Sequence, residues 1–223
     1  MKTFSFMHGK YHIEAFVQSD TVCPFVYCMM DAASVRALAE SLAGERLVLF
    51  AVSGMDWAAE LSPWPAPRAF RGGEDFGGGG EAYLRIVEQE IMPEAERQIG
   101  FPPSCRVAAG YSLAGLWVLY AAYRSKCFSR MVCVSGSLWY DGFLRFMKET
   151  PLPCPPEKVY FSLGRKEKMT KNQRMAAVET CMREAESFLQ KKGTCTIFEE
   201  NPGGHFQEPA ERLARGIRWI LPA

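Results

Sequence analysis

Continuous apolar runs alternate with segments of helical spacing along this chain, and that alternation does most to limit its fold. Residues 24–30 and 46–52 are almost uninterrupted apolar sequence, the mark of strands buried on both faces. Between them, residues 33–43 bring Val35, Leu38, Ala39 and Leu42 to one face, and Gly44 ends that helix. The pattern continues with a helix over 81–99, where Tyr83, Leu84, Val87 and Ile91 form the buried stripe and Pro93 should kink the rod or start a new one. A strand at 105–109, a helix at 113–123 and a strand at 130–134 follow, then a short helix near 142–148 and a proline-rich connection at 151–156. The chain closes with strand 158–163, helix 172–191, strand 194–198 and a helix over about 208–221. Strands that alternate with helices predict an α/β fold, a mostly parallel sheet with helices on both faces. Upstream, residues 3–6 and 11–17 flank His8-Gly9-Lys10 and predict an antiparallel hairpin at one sheet edge.

A length of 223 residues with 48% apolar content suits one domain, 1–223, with a continuous core. The formal charge is +1, with basic and acidic residues nearly balanced, so no nucleic-acid footprint is read. No stretch approaches the roughly 20 apolar residues that span a bilayer. Met1-Lys2-Thr3-Phe4-Ser5-Phe6 is too polar and short for a signal peptide's apolar region, so the expected place is the cytoplasm, with no membrane partner. Eight cysteines include no C-x-x-C pair, which removes the zinc and redox signatures. Cys28, Cys105, Cys133 and Cys195 fall in predicted strands and read as buried free thiols. Residues 53–80, rich in Gly, Pro and Trp, form a loop longer than a compact domain needs; function and irregular padding both fit it.

Gly110-Tyr111-Ser112-Leu113-Ala114-Gly115 joins a predicted strand to a predicted helix, the context of a nucleophile elbow. So sharp a turn requires small neighbours, and Ala114 stands where glycine is usual. The turn presents the Ser112 hydroxyl at the sheet's carboxyl end and aims the Leu113 backbone N–H at a developing oxyanion. Serine also caps helices; a downstream base and acid in the right order favour the nucleophile. There are three histidines. His8 and His12 lie beside the hairpin turn, on strands, and no metal site is read from them. His205, in Asn201-Pro202-Gly203-Gly204-His205-Phe206, lies between the last strand and the last helix, where a base would reach the serine. For the acid, Glu167 follows strand 158–163 across Gly164-Arg165-Lys166, and Asp141, after the preceding strand, is the alternative.

At these residues the sequence resembles the esterase superfamily that includes esterase D and the enterochelin esterases of the Fes and salmochelin types. Beside the elbow, Val134-Ser135-Gly136-Ser137-Leu138-Trp139-Tyr140 resembles the family's segment ending S-P-S-L-W-W. Gly79-Gly80-Glu81-Ala82-Tyr83-Leu84 with Glu90-Ile91-Met92-Pro93 resembles its helix before the nucleophile strand. Phe161-Ser162-Leu163-Gly164 with Glu167 is similar to its acid loop, and Gly203-Gly204-His205 to its histidine loop. Met29-Met30-Asp31-Ala32-Ala33 sits where the family often has L-D-G-N, which implies Ala32 N–H as a second oxyanion donor. The resemblance implies an α/β-hydrolase fold without a large cap domain, and a serine-dependent carboxylic ester hydrolase working through an acyl-enzyme on a small-molecule ester, with no metal or cofactor.

Trp57, Trp64 and Trp139 fall in loops at strand carboxyl ends and would suit an aryl, acyl or siderophore-type ester. Trp57, Trp139 and Asp31 are the substrate-binding candidates. Trp64, between Pro63 and Pro65, fits an anchor of its own loop equally well. Apart from Arg68, Arg71 and Arg165, the loops hold little positive charge for an anionic siderophore. A catalytically silent relative used for binding or assembly stays open as the alternative. Oligomeric state is not legible in the sequence.

Overall fold

The structure, a computed structural model, describes residues 2–222. Met1 and Ala223, the ends of the expected 1–223 unit, lie outside the described residues. Strands β1 (Lys2–His8) and β2 (Tyr11–Val17) form the predicted hairpin, turning at Gly9 with φ 56°. β3 (Phe25–Met29), α1 (Val35–Ser41) and β4 (Val48–Ser53) follow.

Residues 53–80 are more ordered than a loop. They contain α2 (Trp57–Glu60), capped by the Asp56 carboxylate accepting from Ala59 N–H at 2.8 Å. They also contain the two-residue strands β5 (Pro65–Ala66) and β6 (Phe76–Gly77), paired antiparallel. Next, α3 (Gly80–Ile86) runs through a π-helical turn (Val87–Ile91) into α4 (Met92–Ile99). The Met92 N–H bonds the Val87 carbonyl five residues back. That wider turn precedes the Pro93 ring, whose missing N–H would otherwise have bonded Gln89.

The remaining elements are β7 (Arg106–Tyr111), α5 (Leu113–Arg124), β8 (Arg130–Val134), α6 (Phe143–Glu149), β9 (Lys158–Gly164), α7 (Gln173–Ala176), α8 (Val178–Lys191), β10 (Cys195–Asn201) and α9 (Pro209–Ile220). The single helix expected over 172–191 is two. The Asn172 side chain caps α7 by accepting from the Arg174 and Met175 N–H groups, and Ala177 separates α7 from α8.

Among the described residues the main sheet has eight strands in the order β1-β2-β4-β3-β7-β8-β9-β10. β2 pairs antiparallel with β1 and β4, and every pairing from β4 to β10 is parallel. Both faces are covered, as uninterrupted apolar strands require. Phe25, Tyr27 and Met29 of β3 join the core under α3 to α6 and α8, while Val26 and Cys28 face α1 and α9. All eight cysteines are free. Burial pushes the Cys28 and Cys133 thiols up to about 12. Two expectations fail here: Cys105 precedes β7 by one residue and is only half-buried, and Cys195 opens β10 exposed. Among the described residues no helix is long and apolar enough to cross a membrane.

Candidate active site

The turn from β7 into α5 is tight enough to dictate its residues. Ser112 has φ 60° and ψ −120°, a conformation that costs a side-chain-bearing residue roughly 1–3 kcal/mol and persists only where its surroundings impose it. They do so through three backbone bonds: Ser112 N–H to the Val134 carbonyl at 2.9 Å, and Leu116 and Ser137 N–H groups to the Ser112 carbonyl, both at 3.1 Å. A Cβ on Gly110 would meet the Ala114 carbonyl carbon and oxygen at 2.4 Å, and one on Gly115 would meet Gly136 Cα at 3.0 Å. Ala114 is fully buried at the position where glycine is usual; bare backbone at Gly110 leaves room for it. Leu113 opens α5, so its N–H has no helical acceptor and remains available beside Ser112.

Ser112, His205 and Glu167 form one hydrogen-bonded chain. His205 Nε2 lies 3.1 Å from Ser112 Oγ, and His205 Nδ1 lies 2.7 Å from Glu167 Oε2. With Nδ1–H donating to the carboxylate, Nε2 is left to accept from the serine hydroxyl. The two loops that carry this pair are stitched together, Arg165 N–H to the Asn201 carbonyl and Lys166 N–H to the Gly203 carbonyl, both at 2.9 Å. Gly164 must be glycine for that approach, since a Cβ there would meet the Gly203 oxygen at 2.8 Å. The Tyr111 ring packs on the imidazole at 4.9 Å. Asp141, the alternative acid, is engaged elsewhere: its carboxylate pairs with Arg174 at 3.0 Å.

Glu167 is nearly buried. Burial pushes its carboxyl up, but the hydrogen bonds from His205, Ser135 and the Gly164 N–H prevail and hold it below the usual carboxylate range. Its Oε1 accepts from Ser135 Oγ at 2.6 Å, Gly164 N–H at 2.7 Å and Arg212 Nη1 at 3.3 Å. Arg212 is buried on α9 and also donates to Ser135 Oγ at 2.6 Å and to Ser162 Oγ at 3.2 Å. Sequence reasoning missed Arg212, and it quoted Ser135 within a resembling segment without giving it a role of its own. The available signal was an arginine beside the apolar stripe Leu213, Ile217 and Ile220, soon after the histidine loop.

Two cavities meet at the serine and histidine. One, of about 260 Å³, is lined by Phe70, Phe76, Leu113, Ser137, Trp139, Met175 and Val178. The other, of about 350 Å³, is lined by Met30, Asp31, Ser34, Trp57, Tyr111, Ala210 and Leu213. Ser112, His205 and Phe206 belong to both. Trp139 and Trp57 therefore line different cavities that share the hydroxyl. The Asp31 carboxylate accepts from Ser34 N–H at 3.0 Å and Ser34 Oγ at 2.8 Å, and Ala32 sits exposed within that turn. Trp64 lines neither cavity. Its Nε1–H bonds the Asp141 carbonyl at 3.0 Å and its ring packs on Tyr140, Phe143 and Phe146, so it anchors its loop. Phe70, Met175 and Phe206 were not singled out from sequence: Phe70 and Phe206 lie in loops, where an apolar residue carries no periodic signal, and Met175 lies in the four-residue α7, too short to show one.

Away from this site, His8 pairs with Glu90 at 2.7 Å and His12 lies 3.7 Å from Glu14. Among the described residues no group of three or more His, Cys, Asp or Glu side chains is placed to hold a metal ion.

Comparison with known proteins adds to this geometry. The Esterase family model, described as putative esterase, matches residues 26–209. The uncharacterized protein YbbA of Bacillus subtilis (strain 168) is 24% identical over 182 residues, 78% of this chain and 73% of YbbA. The ferri-bacillibactin esterase BesA of the same organism is 26% identical over 152 residues, 65% of this chain and 52% of BesA. The siderophore hydrolase EstA from Aspergillus nidulans superposes with a TM-score of 0.76 at 18% identity, covering 98% of this chain and 93% of EstA. At that identity the likeness is one of fold, and the sheet described above is that of an α/β-hydrolase.

Proposed function

The chain belongs to the Esterase family, and on that premise we propose that it is a serine-dependent carboxylic ester hydrolase acting on a small-molecule ester as one unit, 1–223. The reading is carried by the chain of hydrogen bonds from Ser112 through His205 to Glu167, 3.1 Å and 2.7 Å long. A serine hydroxyl is a weak nucleophile until a base takes its proton. In this reading His205 Nε2 takes it as Oγ attacks the ester carbonyl, and the Glu167 carboxylate steadies the imidazolium that forms. The carbonyl oxygen becomes an oxyanion, held by the backbone N–H groups of Leu113 and Ala32. As the tetrahedral species collapses, the C–O bond to the alcohol breaks and His205 returns the proton to the departing oxygen. His205 then deprotonates a water, which attacks the acyl-enzyme and releases the acid, leaving Ser112 protonated again. No step in this sequence calls for a metal or an organic cofactor. The free thiols, Cys154 and Cys195 exposed among them, fit a reducing compartment such as the cytoplasm.

Replacing Ser112 with Ala tests the reading. S112A is expected to fold normally and to lose on the order of 10⁴-fold or more in turnover of 4-nitrophenyl acetate. Turnover by S112A at the wild-type rate would refute the nucleophile.

A further inference from the structure

We propose that this site selects uncharged esters with an apolar group on each side of the scissile bond and turns away polyanionic ones. The proposal rests on the serine-hydrolase reading and adds the chemistry of the substrate. Ser112 and His205 stand where the two cavities join, so an ester bound for attack has one substituent in each. The walls are apolar on both sides: Phe76, Trp139 and Val178 in the smaller cavity, Met30, Trp57 and Leu213 in the larger. Among the described residues no Lys or Arg lines either one.

The carboxylates that reach these cavities are Asp31 and Glu167. Glu167 is matched by His205 and by Arg212 behind it, whereas the Asp31 carboxylate is held by neutral Ser34. Arg174, whose guanidinium lies 5.5 Å from the Trp139 ring centroid, is paired with Asp141 at 3.0 Å and bonded to the Pro67 and Arg68 carbonyls. A substrate carboxylate or catecholate would thus give up its water with no cation to replace it, and would meet the Asp31 charge.

Size and rim point the same way. The smaller cavity, about 260 Å³, has room for a single ring or a short alkyl chain, since an apolar cavity of about 150 Å³ holds benzene. Phe206 is 89% exposed and Phe70 61% exposed at the mouth. Phe206 borders both cavities and packs edge-on against His205 at 5.0 Å. Exposed aromatic surface beside a cavity gains most by closing over an apolar substituent.

The test compares 4-nitrophenyl hexanoate with mono-4-nitrophenyl adipate, which differ by one terminal carboxylate, on the full-length protein at low ionic strength. We expect kcat/KM to favour the hexanoate by about tenfold or more, and M175R, which brings a cation to the smaller cavity, to narrow that ratio at least about threefold. Equal rates on the two esters, or a ferric tris-catecholate trilactone cleaved as fast as the hexanoate, would overturn the proposal. Labelling of Ser112 by a fluorophosphonate separates the two levels. A labelled protein with no preference overturns the substrate class alone, and a protein that never labels overturns the reading beneath it.

Discussion

Glu167 gives one carboxylate oxygen to His205 and the other to Ser135, the Gly164 N–H and Arg212. The carboxylate is thereby barred from rotating, and Oε2 stays aimed at Nδ1. Arg212 matters most among these partners because its charge is buried with that of Glu167; removing it leaves a nearly buried carboxylate without its cation. R212M should cost about 3–5 kcal/mol of stability and lower kcat/KM for 4-nitrophenyl acetate about ten- to hundredfold, with R212K recovering part of both. Denaturant titration and steady-state rates on the three proteins measure this, and an R212M rate equal to wild type would show that Glu167 needs no support from α9. Chain order and local turns made Ser112, Glu167 and His205 legible in the sequence. Arg212 was not legible, because its partners Ser135, just after β8, and Ser162, within β9, are distant in sequence, and a helix read by its apolar stripe assigns its arginines to solvent.

Among the elements, the β7–α5 turn is where local sequence and tertiary packing constrain each other most. Ser112 holds a positive φ, Gly110 faces Ala114, and Gly115 faces Gly136. G110A should therefore be far more damaging than its single methyl group implies, because the collision is with backbone that cannot swing away. A loss of about 3 kcal/mol or more is expected, seen as a drop of several degrees in Tm; a Tm within one degree of wild type would mean that the turn has slack these contacts do not show. Strands β3, β4, β7, β8 and β9 were readable because burial on both faces leaves an uninterrupted apolar run. The two-residue pair β5–β6 and the break at Ala177 were not. The first is too short for any period, and the second is a single residue, Ala177 with ψ −1°, inside one helical stretch; upstream of it the Asn172 side chain caps α7 while also bonding the Ala69 carbonyl. That bond ties the loop bearing Phe70 to the helix bearing Met175, so the wall of the smaller cavity depends on contacts between distant parts of the chain.

For the molecule as a whole, the parallel order β4-β3-β7-β8-β9-β10 puts the loops after β3, β7, β8 and β9 on one rim, where Asp31, Ser112, Ser135 and Glu167 reside. α/β sheets place ligands at the carboxyl ends of their strands, and here β10 adds His205 at the same rim. The alternation of elements predicted this architecture. The two cavities were beyond the sequence, because their walls draw on the 53–80 segment, α7, the histidine loop and α9 together. In the proposed mechanism these separate stretches converge to make Ser112 a nucleophile. Intact-mass and peptide spectrometry after fluorophosphonate treatment, on wild type and H205A side by side, reads this out. One adduct per wild-type chain is expected, on the peptide containing Ser112, with labelling of H205A slowed by about a hundredfold or more. An adduct on any other residue, or H205A labelled as fast as wild type, would contradict that mechanism.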